Sequence, residues 1–195
     1  MPRIAAATVA ENRRLRERAL VSAATSLLLE HGAFTVAQAS STAGISRPAF
    51  YEYFTGVAEL TAVIVVREAE ALGVELAAAV DRAQPDRRVD AWARTRLAQA
   101  TSHGQQLVGD SPTFGLPDDL QSVVSGAIGR LADPLRVAMT DLGTPRTERA
   151  VEYVCAVVDT AIRRVRAGDA EPEEETAAVL PIIDHIVTPT ERQIR

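Results

Sequence analysis

Residues 46–53 carry side chains that suit contact with DNA. Arg47 can donate a bidentate pair of hydrogen bonds to O6 and N7 of a guanine in the major groove. Pro48 and Ala49 can press against a thymine methyl group, and the hydroxyls of Tyr51 and Tyr53 can donate hydrogen bonds to phosphates. A base reader, apolar contacts and phosphate donors this close together predict a surface that binds double-stranded DNA.

Two short helices joined by a tight turn are predicted to hold this surface. Thr35-x-x-Gln38 has the form of a capping box that starts the first helix, and Gly44 can take the positive φ that ends it. Ser46 can cap the second helix, which has a proline in its first turn. Residues 35–54 therefore have the offsets of a helix-turn-helix. Its second helix enters the major groove, while the first crosses the backbone and can direct N–H groups at a phosphate.

A small core is predicted beneath these helices. Ser40 is small where the two helices cross, Ile45 points inward, and five of the eight aromatic residues lie between Phe34 and Phe54. The alternative is a structural helical pair inside a bundle. Tyr53 suits the core as well as it suits a phosphate.

The composition is that of a globular chain of 195 residues, with 47% hydrophobic and 24% charged residues. Six arginines and four glutamates give residues 1–56 a charge of +2; the remainder has 15 arginines and 22 acidic residues, −7, and the sum is −5. This asymmetry is compatible with one DNA-facing module. With no long apolar run and no signal peptide, we expect a cytoplasmic protein without a membrane span. Cys155 is expected to be a small core residue, or else a disulfide link to a partner chain.

Apolar residues recur at helical spacing almost throughout, which predicts an all-α fold. We expect Pro134 to kink or split one helix and Pro181 to kink the last one. Residues 102–118 are expected to form an irregular connection that can contain a short helix. The predicted helices are residues 11–31, two within 35–54, 57–82, one containing Trp92 and Leu97, 118–142, 146–167, and one beginning at Pro172.

Three motifs follow one another along the chain: Gly32-x2-Thr35-Val36, Ala43-Gly44-Ile45-Ser46-Arg47-Pro48-Ala49-Phe50-Tyr51-Glu52-Tyr53-Phe54, and Glu59-Leu60. Together they resemble the TetR family of bacterial repressors. The resemblance covers about one third of the chain, roughly residues 11–66, and the chain length and helical remainder also fit the family.

The resemblance implies a homodimer in which each DNA-binding domain, residues 1–56, reads one half-site of a palindromic operator. Residues 57–195 would bind a small-molecule effector and pair the subunits. No cofactor or metal is implied. The residues at DNA-contact positions are Thr35, Ser46, Arg47, Pro48, Ala49, Tyr51 and Tyr53.

The larger domain would carry the effector pocket and the dimer interface. An apolar lining predicts a hydrophobic effector, although each lining residue also suits a plain core. The predicted pocket residues are Val66, Trp92, Leu97, Phe114, Val124, Ile128 and Tyr153. The last two helices have apolar faces suited to an intersubunit four-helix bundle. The predicted interface residues are Val151, Val154, Val158, Ile162, Ile183 and Ile186.

Two places depart from the family pattern. Ala39-Ser40 stands where isoleucine-alanine is usual, and Val57-Ala58 stands where lysine-glutamate is usual. Because that lysine normally meets a DNA phosphate, its loss should lower affinity and reduce the salt dependence of binding by roughly one unit. Arginines of the first helix can compensate if the helix passes near the DNA backbone.

Two other functions compete with regulation. An enzyme is disfavoured because the three histidines are far apart in sequence and because no phosphate-binding glycine loop or nucleophile–base pair is visible. A helical ligand-binding or adaptor protein with weak or lost DNA binding is the stronger alternative, given Val57. In the regulatory interpretation, a ligand shifts the long helix after residue 56 and spoils the spacing of about 34–36 Å between two DNA-reading helices.

Overall fold

The computed structural model describes residues 9–109 and 116–188, and these ranges contain helices and no strand. The predicted all-α class is confirmed. The helices are α1 (Val9–His31), α2 (Val36–Ala43), α3 (Arg47–Phe50), α4 (Val57–Arg82), α5 (Arg88–Ala98), α6 (His103–Gly109), α7 (Asp118–Gly129), α8 (Asp133–Asp141), α9 (Thr147–Ala167) and α10 (Pro172–Val187).

The local signals for helix ends act as expected. Gly32, Gly44 and Gly168 each follow a helix with positive φ, where glycine avoids the strain of a Cβ atom. Pro134 falls in the first turn of α8, and the short 3₁₀ segment Arg130–Ala132 separates that helix from α7. The predicted split of the 118–142 helix is therefore present.

Pro181 does not end α10, which is assigned as one helix through that residue, and the expected kink there stays a prediction. Proline has no N–H, so the carbonyl of Ala177 loses its usual helical partner. Both residues lie on the exposed side of α10, where water can solvate that carbonyl. Val179 and Ile183 are buried on the other side and hold the helix against the protein.

The described residues fall into two compact units: those of Met1–Arg67 with Ser111–Val124, and those of Glu68–Asp110 with Ser125–Arg195. The division lies within α4, whereas the sequence predicts a boundary at residues 56 and 57. The first turns of α4 belong to the first unit, and their apolar residues Leu60 and Ile64 are buried.

In the first unit, α2 packs against α1 and α3 packs against α2. The core side chains there include Leu20 and Ala24 of α1, Phe34, and Phe50 of α3. The short helices α2 and α3 offer little apolar area, so the fully enclosed ring of Phe50 is a large part of what holds them against the rest of the unit.

In the second unit, α5 packs against α8, α9 and α10. Trp92 of α5 is 2% exposed, and its indole N–H donates to the carbonyl of Leu131 at 2.9 Å. Arg164 of α9 donates to the largely buried carboxylate of Glu175 on α10 at 2.6 Å, which fixes these two helices to each other. Cys155 is half-buried, and burial raises the pKa of its thiol to about 11.

Candidate nucleic-acid interface

Helix α3 is built so that one side is anchored and the other is exposed. The hydroxyl of Ser46 caps it by accepting the N–H of Ala49 at 3.3 Å, and Pro48 lies in its first turn. The ring of Phe50 is fully buried. Anchoring Phe50 in the core leaves Arg47 and Pro48 on the exposed side, as a reading surface requires.

The turn before α3 sets the angle between the two short helices. Gly44 has φ +69°, and the N–H of Ile45 donates to the carbonyl of Ser40 at 3.0 Å. This is a common helix C-terminus in which a glycine has positive φ and the N–H groups that follow donate to the last carbonyls of the helix. The turn thereby sets the orientation of α3, and with it the direction in which the side chain of Arg47 points.

The predicted capping box at the start of α2 is present. The hydroxyl of Thr35 accepts the N–H of Gln38 at 3.2 Å, and the Gln38 side-chain oxygen accepts the N–H of Thr35 at 2.9 Å. The Thr35 hydroxyl also donates to the same oxygen at 2.9 Å. Since both donors of Thr35 are used within the chain, its role in this structure is to position α2.

The two tyrosines that were predicted to meet phosphates lie in different environments. Tyr51 is 53% exposed, and its ring meets Phe50 edge-on at 5.5 Å, so the hydroxyl end is free to reach outward. Tyr53 is half-buried. The sequence left Tyr53 open between core and contact, and its position at the edge of the core is compatible with both.

Arg13 of α1 is one of the first-helix arginines that the sequence offers as a substitute phosphate contact, and the structure gives it contacts that the sequence did not predict. Its guanidinium lies 5.5 Å from the centre of the Tyr53 ring and donates to the carbonyl of Glu52 at 3.2 Å. A cation over an aromatic face is attracted by the ring's electron density, and a donor at the last carbonyls of a helical turn satisfies them. Arg13 therefore fixes the end of the reading segment, and no local pattern links residues 39 positions apart.

The electrostatics of the first unit suit a polyanion. Arg14, Arg16 and Arg18 of α1 are exposed, as is Arg47. A different α1 residue, Glu17, is paired with Arg67 at 2.7 Å. The pairing neutralises one acidic group, and the exposed arginines give the unit a set of cations available to phosphates.

The start of α4 is tied to the segment before it. The carboxylate of Glu59 accepts both the N–H and the hydroxyl of Thr55, at 2.6 and 2.7 Å. Val57 is half-buried at the first position of α4 and has no polar group to offer a phosphate.

Comparisons with solved structures identify this arrangement. A regulator from Pseudomonas aeruginosa PAO1 described as a putative transcriptional regulator superimposes with a TM-score of 0.74 at 16% identity, covering 94% of this chain and 95% of that chain. A TetR-family transcriptional regulator from Streptomyces coelicolor gives 0.69 at 16%, covering 89% and 88%. This chain has the TetR-family fold. The transcriptional regulator FadR from Bacillus subtilis, solved in complex with stearoyl-CoA, gives a TM-score of 0.70 at 12% identity, covering 89% of this chain and 99% of that chain.

Comparisons with family sequence models and with curated protein sequences each found no match. The identities of 12–16% to these solved structures show the fold, and the roles of individual residues are argued from this chain. Across residues 9–109 and 116–188, no group of histidine, cysteine, aspartate and glutamate side chains could hold a metal ion. Within the same ranges, no helix has the length and apolarity needed to cross a membrane.

The residues predicted to line an effector pocket are not all brought together. Trp92 and Leu97 are enclosed in the core of the second unit, whereas Tyr153 is 56% exposed. Ile128 lines a cavity in that unit. Val66 is half-buried and Val124 fully buried, and both belong to the first unit; Phe114 lies outside the described residues.

The residues predicted for the dimer interface are mostly interior to the single chain. Five of the six are at most 3% exposed, and Ile186 is half-buried. Such side chains pack α9 and α10 onto their own unit and leave almost no surface for a partner. The large apolar side chains exposed on these two helices are instead Tyr153 and Ile182, at 56% and 48%. The five interior residues are Val151, Val154, Val158, Ile162 and Ile183.

Proposed function

We propose that the protein is a DNA-binding transcriptional regulator whose first unit reads an operator with α3. The observation that carries the proposal is the exposed side of α3. The Ser46 cap, the turn at Gly44 and the buried ring of Phe50 hold the helix in its orientation. In a helix-turn-helix, residues at that position face base edges in the major groove. Arg47 is the proposed base reader, with Tyr51 as a phosphate donor.

We further propose that the regulator is a homodimer that binds a palindromic site. A two-fold axis on the protein matches a two-fold axis on the operator, so each subunit reads one half-site. Tyr153 on α9 and Ile182 on α10 are exposed, and an isologous contact between two copies through these helices would remove both side chains from water.

We also propose that a small molecule bound in the second unit controls the affinity of the protein for DNA, and that the DNA-bound protein represses transcription. Stearoyl-CoA is bound to the FadR structure from Bacillus subtilis, which has a similar fold. The ligand acts only if it binds the DNA-competent and released states with different affinity.

The test is a salt-titrated mobility-shift assay with DNA flanking the protein's own gene, comparing the wild type with an Arg47→Ala, Tyr51→Phe double variant. Removing a bidentate guanine contact should cost about 1–3 kcal/mol, or roughly 5- to 150-fold in affinity, and should relax specificity. Arg94→Ala removes the same charge from an exposed position on α5 in the second unit and should leave binding unchanged.

The alternative function has its own outcome in this assay. Val57 in place of a phosphate-binding lysine favours a helical ligand-binding or adaptor protein that has lost DNA binding. If the wild type shows no sequence-specific retention even at low salt, while circular dichroism shows it folded, the adaptor replaces the regulator.

A further inference from the structure

Helix α3 has four residues, Arg47–Phe50, and cannot hold its conformation alone. A single helical turn fixes several backbone angles for very few hydrogen bonds, and isolated helices shorter than about 12–15 residues are marginal in water. Contacts with other parts of the first unit must therefore hold α3 in place. The Ser46 cap acts at its beginning, and the buried ring of Phe50 acts at its last residue.

The turn that follows α3, residues 51–53, is contacted by Arg13 of α1. The N–H of Tyr53 donates to the carbonyl of Phe50 at 3.0 Å, while the carbonyl of Glu52 accepts from the Arg13 guanidinium at 3.2 Å. The same guanidinium lies 5.5 Å from the centre of the Tyr53 ring. Arg13 thus contacts both the backbone and a side chain of one turn, and it restrains that turn against α1.

The ring of Tyr53 is placed to receive a cation. It is half-buried, and a guanidinium within about 6 Å of a ring centre is attracted by the electron density of the ring face. A planar guanidinium can lie over a ring and still donate from its terminal nitrogens, which a compact ammonium group does less well. Arg13 combines these two contacts, one with Tyr53 and one with Glu52.

We infer that Arg13 is a positioning residue for operator binding, that the ring of Tyr53 holds it, and that neither side chain contacts a phosphate. The inference rests on the proposed DNA-binding function, and it assigns a role to Tyr53, which the sequence left open between core and phosphate contact. Arg13 keeps the turn after α3 ordered before DNA arrives. Without it, the apparent affinity falls with the fraction of molecules in the binding-competent conformation.

The salt dependence of binding separates positioning from phosphate contact. In fluorescence anisotropy with operator DNA, Arg13→Gln should lower affinity roughly three- to tenfold and leave the slope of log K against log salt concentration unchanged, because the number of phosphate contacts stays the same. Arg94→Gln, at an exposed position of α5 in the second unit, is the control and should change neither quantity. Unchanged affinity in Arg13→Gln, or a slope lower by about one unit, would overturn the inference.

Two variants of Tyr53 test the ring separately from the hydroxyl. Tyr53→Phe keeps the ring beneath Arg13, whereas Tyr53→Leu removes both ring and hydroxyl. Tyr53→Phe should therefore bind the operator roughly threefold or more tightly than Tyr53→Leu, with circular dichroism showing that both are folded. Equal affinities of the two variants would contradict the inference, since the ring would then make no difference.

A double-mutant cycle of Arg13→Gln and Tyr53→Leu, measured by urea denaturation without DNA, tests the contact itself. A cation–π pair at an exposed site contributes about two- to fivefold to the folding equilibrium constant, so the two effects should depart from additivity by that factor. Additive effects would show that the side chains do not interact, and they would overturn the inference.

The two kinds of measurement distinguish this inference from the proposed function. If the wild type binds the operator and Arg13→Gln keeps its full affinity, the regulatory function stands and the positioning role is wrong. If the wild type retains no operator DNA although the cycle shows coupling, the regulatory function is wrong and the contact between Arg13 and Tyr53 serves stability alone.

Discussion

The buried hydroxyl of Ser40 lowers the stability of the DNA-reading unit. Its side chain is 3% exposed and its hydroxyl has no hydrogen-bond partner among the described residues, while its carbonyl serves the turn by accepting from Ile45. Burial removes the hydroxyl from water and no protein hydrogen bond replaces the one to water, so the group costs free energy.

Ser40→Ala is therefore expected to stabilise the protein by about 1 kcal/mol, which corresponds to roughly 2–4 °C in Tm for a chain of this size. The carbonyl and the turn are unaffected, so operator affinity should not change. Differential scanning calorimetry measures the effect, and Ser41→Ala, at the exposed neighbouring position, is the control. A lower Tm in Ser40→Ala would mean that the hydroxyl has a stabilising partner.

Among the helices, α10 continues through a proline in its interior, although proline usually bends or ends a helix. Helix α10 spans Pro172–Val187 with Pro181 inside it. The missing backbone hydrogen bond costs energy, yet buried Val179 and Ile183 and the ion pair between Arg164 and Glu175 keep the helix in place. Tertiary packing outweighs the local cost, which can reach about 3 kcal/mol.

Pro181→Ala is expected to stabilise α10 by about 1–3 kcal/mol, because it restores an N–H for the carbonyl of Ala177. Pro172→Ala is the matched control: a proline in the first turn lacks a hydrogen bond that would not form anyway, so that change should be close to neutral. Urea denaturation of both variants gives the two free energies. Equal values would show that the helix does not lose a bond at Pro181.

The whole molecule carries a net charge of −5, yet the segment that is proposed to bind DNA is positive. An acidic protein can still bind a polyanion if its cations are gathered at one surface, since salt screens charges farther away than about 8–10 Å. Arg47 and the exposed arginines of α1 supply those cations. Val57 stands where the pattern of the TetR family, which this sequence resembles, has a lysine.

Val57→Lys is expected to tighten operator binding and to steepen the dependence of log K on log salt concentration by about one unit, as one added phosphate contact requires. Val74→Lys adds the same charge to α4 at a side chain that is 70% exposed in the second unit, and it should leave the slope unchanged. Fluorescence anisotropy over a range of salt concentrations provides both slopes. The same increase in both variants would show that net charge, and not position, controls affinity.

The sequence by itself determined the features that depend on near neighbours along the chain. The capping box at Thr35, the positive φ of Gly44 and the cap at Ser46 each involve residues at most five apart, so the residue types suffice to predict them. The all-α class followed from apolar spacing, and so did the bounds of α4.

Only the tertiary structure decided which residues far apart in sequence meet and which sides of the helices are enclosed. Arg13 reaches Glu52 across 39 positions, and Arg96 reaches Asp159 across 63. The spacing of apolar residues marks an apolar face of α9 but does not say what covers that face. The sequence therefore predicts that Val154 meets a partner subunit, whereas in the structure residues of its own chain bury it. Such contacts depend on how the chain closes over long loops and on the direction of each side chain, and neither is encoded in local spacing.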